Sequence, residues 1–321
     1  MVLPDSLQQK LTEHITVNKA VRAAFETMNT RYRSNRLNQG LHTAAEASAY
    51  AITRLPATYA VLRHLMDAIK DDQISSILDI GAGPGQSVWA AHDRWPDLKR
   101  AILIEPDAHM YRLQQHLLQA APVKTQCYKD KQFQEHKADL VISSYVLNEL
   151  PLQQQQQIAD KAWQSTNKYL LLIYPGAHRY FDAFVNIRQQ IITAGGSIIA
   201  PCPHMLDCPL DKANDWCHFS IQLNRSKQHR DVKEANLSHE DEKFSYLIAS
   251  KSETHNKACI GRIVKKPIIR KGHTVLDICT SDAKLERTTI TKSDPNYKSA
   301  KKLVWGDIAT FLPTKENHYS R

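Results

Sequence analysis

The chain has 321 residues, with 42 Lys and Arg against 33 Asp and Glu and a net charge of +9. That length buries the core of one large domain or two smaller ones, and no apolar run approaches the ~18 residues that a membrane span requires. Residues 1–20 contain neither an apolar signal core nor an Arg-rich presequence, so the expected location is the bacterial cytoplasm, where clustered cysteines bind metal more often than they form disulfides.

Residues 1–70 read as helices. "HTAAEASAYAITRLPATYAVLRHLMDAI" repeats Ala, Leu, Tyr and Val at helical spacing and is broken once, at Pro56. Short apolar runs then alternate with helical stretches. "ISSILDIG", "RAILIE", "ADLVISSYV" and "KYLLLIYP" read as strands, and "QSVWAAHDRW", "AHMYRLQQHLLQ" and "QQQQQIADKAW" as helices. This alternation predicts an α/β fold with a parallel, doubly wound sheet. The glutamine run at 153–157 fits an exposed helical face, and "HFSIQL" and "FSYLIAS" fit the last strands. From residue 251 the chain becomes β-rich, with turns at Lys271–Gly272 and Ser281–Asp282, which predicts an extension of about three or four strands. The expected division is a helical region at 1–70, a nucleotide-binding domain at 71–250 that includes a cysteine loop at 200–218, and a basic extension at 251–321.

Three of the ten glycines, Gly81, Gly83 and Gly85, stand in "LDIGAGPGQS", between a strand and a helix. That context suits a loop whose backbone approaches a ligand closely. The dinucleotide fingerprint G-x-G-x-x-G places its third glycine where this chain has Gln86. Asp79, at the strand's end, suits a cationic ligand amine rather than a pyrophosphate. Glu105 ends the next strand, in "LIEP", where a carboxylate can accept both hydroxyls of a ribose. D-x-G-x-G-x-G followed by an acid after the second strand resembles the class I S-adenosylmethionine (SAM)-dependent methyltransferases. The resemblance implies that Asp79 and the backbone of Gly81, Ala82, Gly83 and Gly85 face the methionine part, and that Glu105 faces the ribose. After "DLVISSYV" no N/D-P-P-Y/F acceptor loop follows, and Asn148 and Glu149 are read as capping the next helix, with cofactor contact as the alternative. Cys202 follows Pro201 but stands too late in the chain to be a nucleophile of the Pro-Cys type.

"APCPHMLDCPLDKANDWCHFS" holds Cys202, Cys208 and Cys217, half of the chain's six cysteines. Three thiols in a polar, proline-rich loop point to a metal or cluster with a fourth ligand from His204, His218, Cys259 or Cys279. Spacing leaves zinc and iron–sulfur both open. Cys127 and Cys259, lone thiols among apolar or β-prone neighbours, suit simple packing.

"PCPH", "DWCHFS", "NRSKQHRDVK" and "EDEKFSYLIAS" resemble the methyltransferase-like proteins of the mitochondrial small ribosomal subunit and their bacterial relatives. "RLPATYAVL", "DIGAGPG", "SYVLNELP" and "CTSDAKLERTTITKSD" extend the likeness over most of the chain. The resemblance implies a [4Fe–4S] cluster on Cys202, Cys208, Cys217 and Cys279, with zinc as the alternative. It also implies engagement of small-subunit ribosomal RNA during assembly and translation, with no membrane and no DNA. Charge agrees, because residues 218–321 hold 20 Lys and Arg against 12 Asp and Glu, whereas residues 1–217 hold 22 against 21. Arg225, Lys227, His229, Arg230 and Lys233, with Lys265, Lys266, Arg270 and Lys271, are therefore expected to line an RNA-facing surface. The expectation is a SAM-binding, iron–sulfur methyltransferase-like factor of the small subunit. Its rivals are a catalytically active rRNA methyltransferase and a small-molecule methyltransferase with a structural zinc site.

Overall fold

Strands that are apolar on both faces build a parallel sheet covered on both sides. The computed structural model describes residues 2–33, 41–129, 133, 135–234, 236–253 and 259–311. In it β1 (Ser76–Ile80) is buried along its whole length. β1 pairs in parallel with β2 (Arg100–Ile104) and β4 (Ala138–Ser144), and β2 pairs in parallel with β3 (Lys124–Tyr128). β5 (Thr166–Pro175) follows β4, giving the order β3-β2-β1-β4-β5. The order reverses between β1 and β4, and the carboxyl ends of strands at such a reversal leave a crevice for a ligand.

The chain forms two compact units, one of residues 1–172 with 221–242 and the other of residues 173–220 with 243–321. The first unit holds the parallel strands and the helices α1 (Asp5–His14), α2 (Lys19–Arg33), α3 (Ala44–Thr53) and α4 (Leu55–Met66). Pro56 stands in the first turn of α4, where its missing N–H would have no helical partner, so it starts a helix instead of kinking one. At the start of α3, Thr43 Oγ1 accepts from Glu46 N at 3.1 Å, and Glu46 in turn accepts from His42 N at 2.8 Å. The crossovers are α5 (Gln86–Arg94), α6 (Ala108–Leu117) and α7 (Leu152–Ser165); α4 packs on α5, and α3 on α6.

The second unit contains α8 (Phe181–Thr193) and β6 (Ser197–Ala200). β7 (Phe219–Asn224) then leads through α9 (Lys227–Lys233) to β8 (His239–Ser250). β5, β7 and β8 each run from one unit into the other. Within the second unit Gly176 N, just past β5, donates to Lys243 O at 3.0 Å, and β6 pairs antiparallel with β8. The parallel order and the antiparallel β6–β8 pair are those of the class I methyltransferase fold.

The last part of the chain forms a five-stranded sheet of β9 (Gly261–Ile263), β10 (Ile268–Arg270), β11 (His273–Thr280), β12 (Leu285–Thr291) and β13 (Ile308–Ala309), with α10 (Tyr297–Ala300) beside it. Ile263, Leu276, Ile278 and Ile290 fill its core. Sequence patterning does not single out β3 or β6. "KTQCY" has no apolar run, and "SIIA" is only four residues long.

Candidate functional site

The loop after β1 turns sharply because its glycines take φ angles closed to most side chains, +72° at Gly81 and +87° at Gly85. A Cβ on Gly81 would also stand 2.3 Å from a Val146 methyl carbon. Gly81 N and Ala82 N both donate to Ile104 O, and Gly83 N donates to Glu105 Oε2 at 2.8 Å. Gln114 Nε2, from α6, donates to Gly83 O at 2.7 Å. The loop is thus laced to β2 and α6 by the protein's own hydrogen bonds.

Beside it lies a cavity of about 770 Å³, lined by Gly81, Gly83 and Glu105 among the expected residues. Ala82, Gly85 and Asp79 are buried. Both carboxylate oxygens of Asp79 are buried with no cation paired to them among the described residues; burial pushes its pKa up to about 7, and the nearby Ser87 hydroxyl only partly opposes that. An unpaired buried acid is costly, and a cationic ligand group would relieve that cost. Burial likewise pushes Glu105 up to about 7. Its two oxygens each accept a backbone N–H, from Gly83 and from Asp107, both at 2.8 Å. Glu105 therefore holds the loop in place as well as facing the cavity.

Other lining residues carried no signal in the sequence. Met28 and Arg31 of α2 and Tyr50 of α3 reach the cavity from the helical region. Gln154, Gln157 and Lys161 line it from one face of α7, so part of the glutamine run has a place at the site. Tyr145, at the end of β4, lines the cavity with φ +60°, a strained conformation of the kind that collects at functional sites. The capping expectation for Asn148 and Glu149 fails. α7 begins after Pro151 with no side-chain cap, Asn148 Oδ1 is buried without a partner, and Glu149 lines the cavity.

The cysteine site belongs to the second unit. Cys202, Cys208 and Cys217 are half-buried and Cys279 is buried. Burial, reinforced by the charges of Cys202, Cys208 and Cys279, raises the Cys217 thiol well above its ordinary pKa. Burial, then Cys202 and Cys208, push Cys279 up to about 12. The four sulfurs are therefore near enough to oppose one another's ionisation, which only a nearby cation would offset. Two buried arginines stand beside them. Arg188 Nε donates to Cys202 Sγ at 3.2 Å while Nη2 donates to His204 O and Leu206 O; Arg262 donates to Pro201 O and Gly306 O. Neither guanidinium pairs with a carboxylate among the described residues, so anionic sulfur is the natural counter-charge. Among the described residues no group of three or more His, Cys, Asp or Glu is arranged to hold a single metal ion. His204 Nε2 lies 3.5 Å from Cys279 Sγ. The Cys259 thiol lies 3.6 Å from Gly261 O and is acted on by Arg262 rather than by another cysteine.

The basic residues separate into different roles. Arg225 and Lys233 both pair with Glu240, at 2.8 and 2.7 Å, and His229 is fully buried with its pKa lowered to about 4 by burial. Lys227 and Arg230 are exposed. These residues belong to the first unit; Lys265, Lys266, Arg270 and Lys271, all exposed, belong to the second.

The family described as mitochondrial small ribosomal subunit Rsm22 matches residues 44–310. The human mitochondrial ribosome assembly protein METTL17 is 24% identical over 297 residues, covering 84% of this chain and 64% of that one. The mitochondrial Rsm22-cox11 tandem protein 2 of Schizosaccharomyces pombe is 25% identical over 333 residues, covering 83% and 43%. The chain thus spans less than two thirds of the length of these curated relatives. Among solved structures, magnesium protoporphyrin IX methyltransferase (ChlM) from Synechocystis PCC 6803 aligns with a TM-score of 0.42 and 12% identity, covering 70% of this chain and 94% of that one. An O-methyltransferase family protein from Burkholderia thailandensis aligns at 0.44 and 12%, covering 69% and 63%.

Proposed function

Because the chain belongs to the Rsm22 family of mitochondrial small ribosomal subunit proteins, we propose that it is a methyltransferase-like factor that binds SAM and an iron–sulfur cluster and acts on the small ribosomal subunit or its rRNA during assembly. The observation that carries this reading is the family match over 44–310, with relatives named for ribosome assembly. The expected cytoplasmic location is part of the same proposal.

The cavity in the first unit suits SAM. Asp79, fully buried and not part of the cavity lining, favours the ligand's ammonium through a carboxylate that no cation pairs among the described residues; Glu105 offers its remaining lone pairs to the ribose; and the glycines let the backbone come close. Bound SAM supplies a methyl group activated by a sulfonium. In the second unit Cys202, Cys208, Cys217 and Cys279 hold the cluster, and Arg188 and Arg262 neutralise thiolate charge. A [4Fe–4S] cluster spreads four thiolates over four irons and does not need them crowded about one ion, as a zinc site does.

The test is sedimentation of anaerobically purified protein with small subunits, with iron, sulfide and zinc measured on the same preparation. Co-sedimentation that fades with salt supports the reading, and absence of the protein from small-subunit fractions at low salt overturns it. Tritiated SAM offered together with immature subunits shows whether the methyl group is transferred, which separates an active rRNA methyltransferase from a factor that only binds.

A further inference from the structure

The five tryptophans divide by burial. Trp89, Trp95 and Trp163 are buried in the first unit, whereas Trp216 and Trp305 are half-exposed in the second. His218 joins these two indoles. Its ring stacks on Trp216 at 4.9 Å with the planes 16° apart, and meets Trp305 edge-on at 4.8 Å. The exposed ring of His178 extends the row, 5.3 Å from Trp216.

The local sequence explains the row. Trp216 and His218 flank Cys217, just before β7, and this spacing of two lets their rings stack on each other. Two ring edges are engaged: Trp216 Nε1 donates to Gly176 O at 3.1 Å, and His178 Nε2 lies 2.7 Å from Lys212 O, whereas Trp305 Nε1 is buried without a partner. One face of Trp216 and one of His218 are taken up by their mutual stack, and what the half-exposed rings offer a ligand is the surface outside it.

Cations border these faces. Lys243, Asp215 and Lys265 are close enough for their charges to act on the His218 ring; Lys265 pairs with Asp215 at 2.6 Å, and no ion pair of Lys243 is found among the described residues. The whole second unit carries 19 Lys and Arg against 11 Asp and Glu. Trp305 also meets the buried Phe219 ring at 6.4 Å, which anchors the row to the core of the unit. Half-exposed rings bordered by lysines match the recognition of unpaired nucleobases, in which bases stack on rings and phosphates meet cations.

We propose that Trp216, His218 and Trp305, with Lys243 and Lys265 beside them, form a stacking platform for the bases of single-stranded RNA. This rests on the reading of the protein as a small-subunit RNA factor, and it adds that an unpaired segment, not a duplex, is held there.

The experiment titrates the full-length, anaerobically purified protein with a mixed-sequence oligoribonucleotide of about twelve nucleotides, and with its duplex, at low salt. Tryptophan emission and the anisotropy of labelled RNA are followed together. Because the other three tryptophans are buried, quenching reports on Trp216 and Trp305. The single strand should quench emission and bind more tightly than the duplex. Trp305→Ala should weaken single-strand binding roughly tenfold or more, while Trp305→Phe keeps most of it. Trp216→Phe, a milder change beside Cys217, should retain binding but lose part of the quenching. Iron content and melting temperature verify that each variant is folded. If wild type binds the single strand with unchanged tryptophan emission, and Trp305→Ala binds equally well, the platform is wrong although the RNA reading survives. If wild type binds neither RNA at low salt, the RNA reading fails and the platform with it.

Discussion

Arg54 grips Glu242 with both terminal nitrogens, at 2.9 and 2.7 Å, across 188 residues of sequence. The same guanidinium lies 5.6 Å from the centre of the Tyr145 ring, at the edge of the cavity. Arg54→Ala leaves Glu242, mostly buried, without its partner. The loss should be about 2 kcal/mol, less than for a fully buried pair because Arg54 is partly exposed. Urea unfolding measures it, and a change below about 0.5 kcal/mol would make this pair equivalent to a surface ion pair.

Asp79→Ala should weaken SAM binding by about 1.5–3 kcal/mol, the value of a charge-assisted hydrogen bond. The ligand-free variant should be no less stable than wild type, because a buried carboxyl without a counter-charge is itself costly. Calorimetry with SAM and a thermal melt without it check the two halves separately.

Asp79 and Glu105 also give a pH signature. Both have folded-state pKa values raised by burial to about 7, so the native chain holds protons that the unfolded chain releases. That contribution to stability is fully present below about pH 4 and is lost as pH rises towards 7. Asp79→Asn should escape its share of the loss. Its melting temperature relative to wild type should therefore climb between pH 5 and pH 7.5, values chosen to bracket roughly this window. A difference that stays flat with pH would mean that Asp79 does not titrate in that range.

Lys227→Ala combined with Arg230→Ala should lower affinity for small-subunit RNA. The salt dependence should flatten by up to roughly 0.9 log unit for each duplex phosphate that the variant no longer neutralises. Arg225→Ala should act differently, costing about 1 kcal/mol of stability through Glu240 before it affects RNA. Filter binding across a salt series, beside denaturation curves, separates the two effects.

Cys279→Ser should lose iron and leave the second unit more open to protease, since metal binding and folding are coupled. Cys259→Ser should retain both iron and protease resistance, because among the described residues its thiol bonds to Gly261 O and to none of the other cysteines. Iron and sulfide analysis with limited proteolysis decides the matter. Iron lost from Cys259→Ser and kept by Cys279→Ser would reverse the ligand assignment.

Strong local patterns made much of this fold legible. β1, β2, β4 and β5 are apolar runs, and the alternating glycines mark the turn after β1. β3 and β6 are short or polar, and their places come from neighbouring strands rather than from their own residues. The cavity was half legible. Gly81, Gly83 and Glu105 belong to one local motif, whereas Met28, Arg31 and Tyr50 arrive through helix packing that no short spacing encodes. The paired roles of Arg225 and Lys233 were hidden for the same reason, since Glu240 reaches them only when β7 and β8 come together.

Three strands crossing between the units constrain how the protein is made. Residues 221–242 belong with the first 172, so a ribosome that has released only the leading segment has not yet delivered Glu242 to Arg54. The first unit is completed after the cysteine loop has been synthesised, and the second waits for β11 to bring Cys279. A stop codon after residue 172 would not yield a smaller working module, and neither half can be lifted out by cutting the gene once.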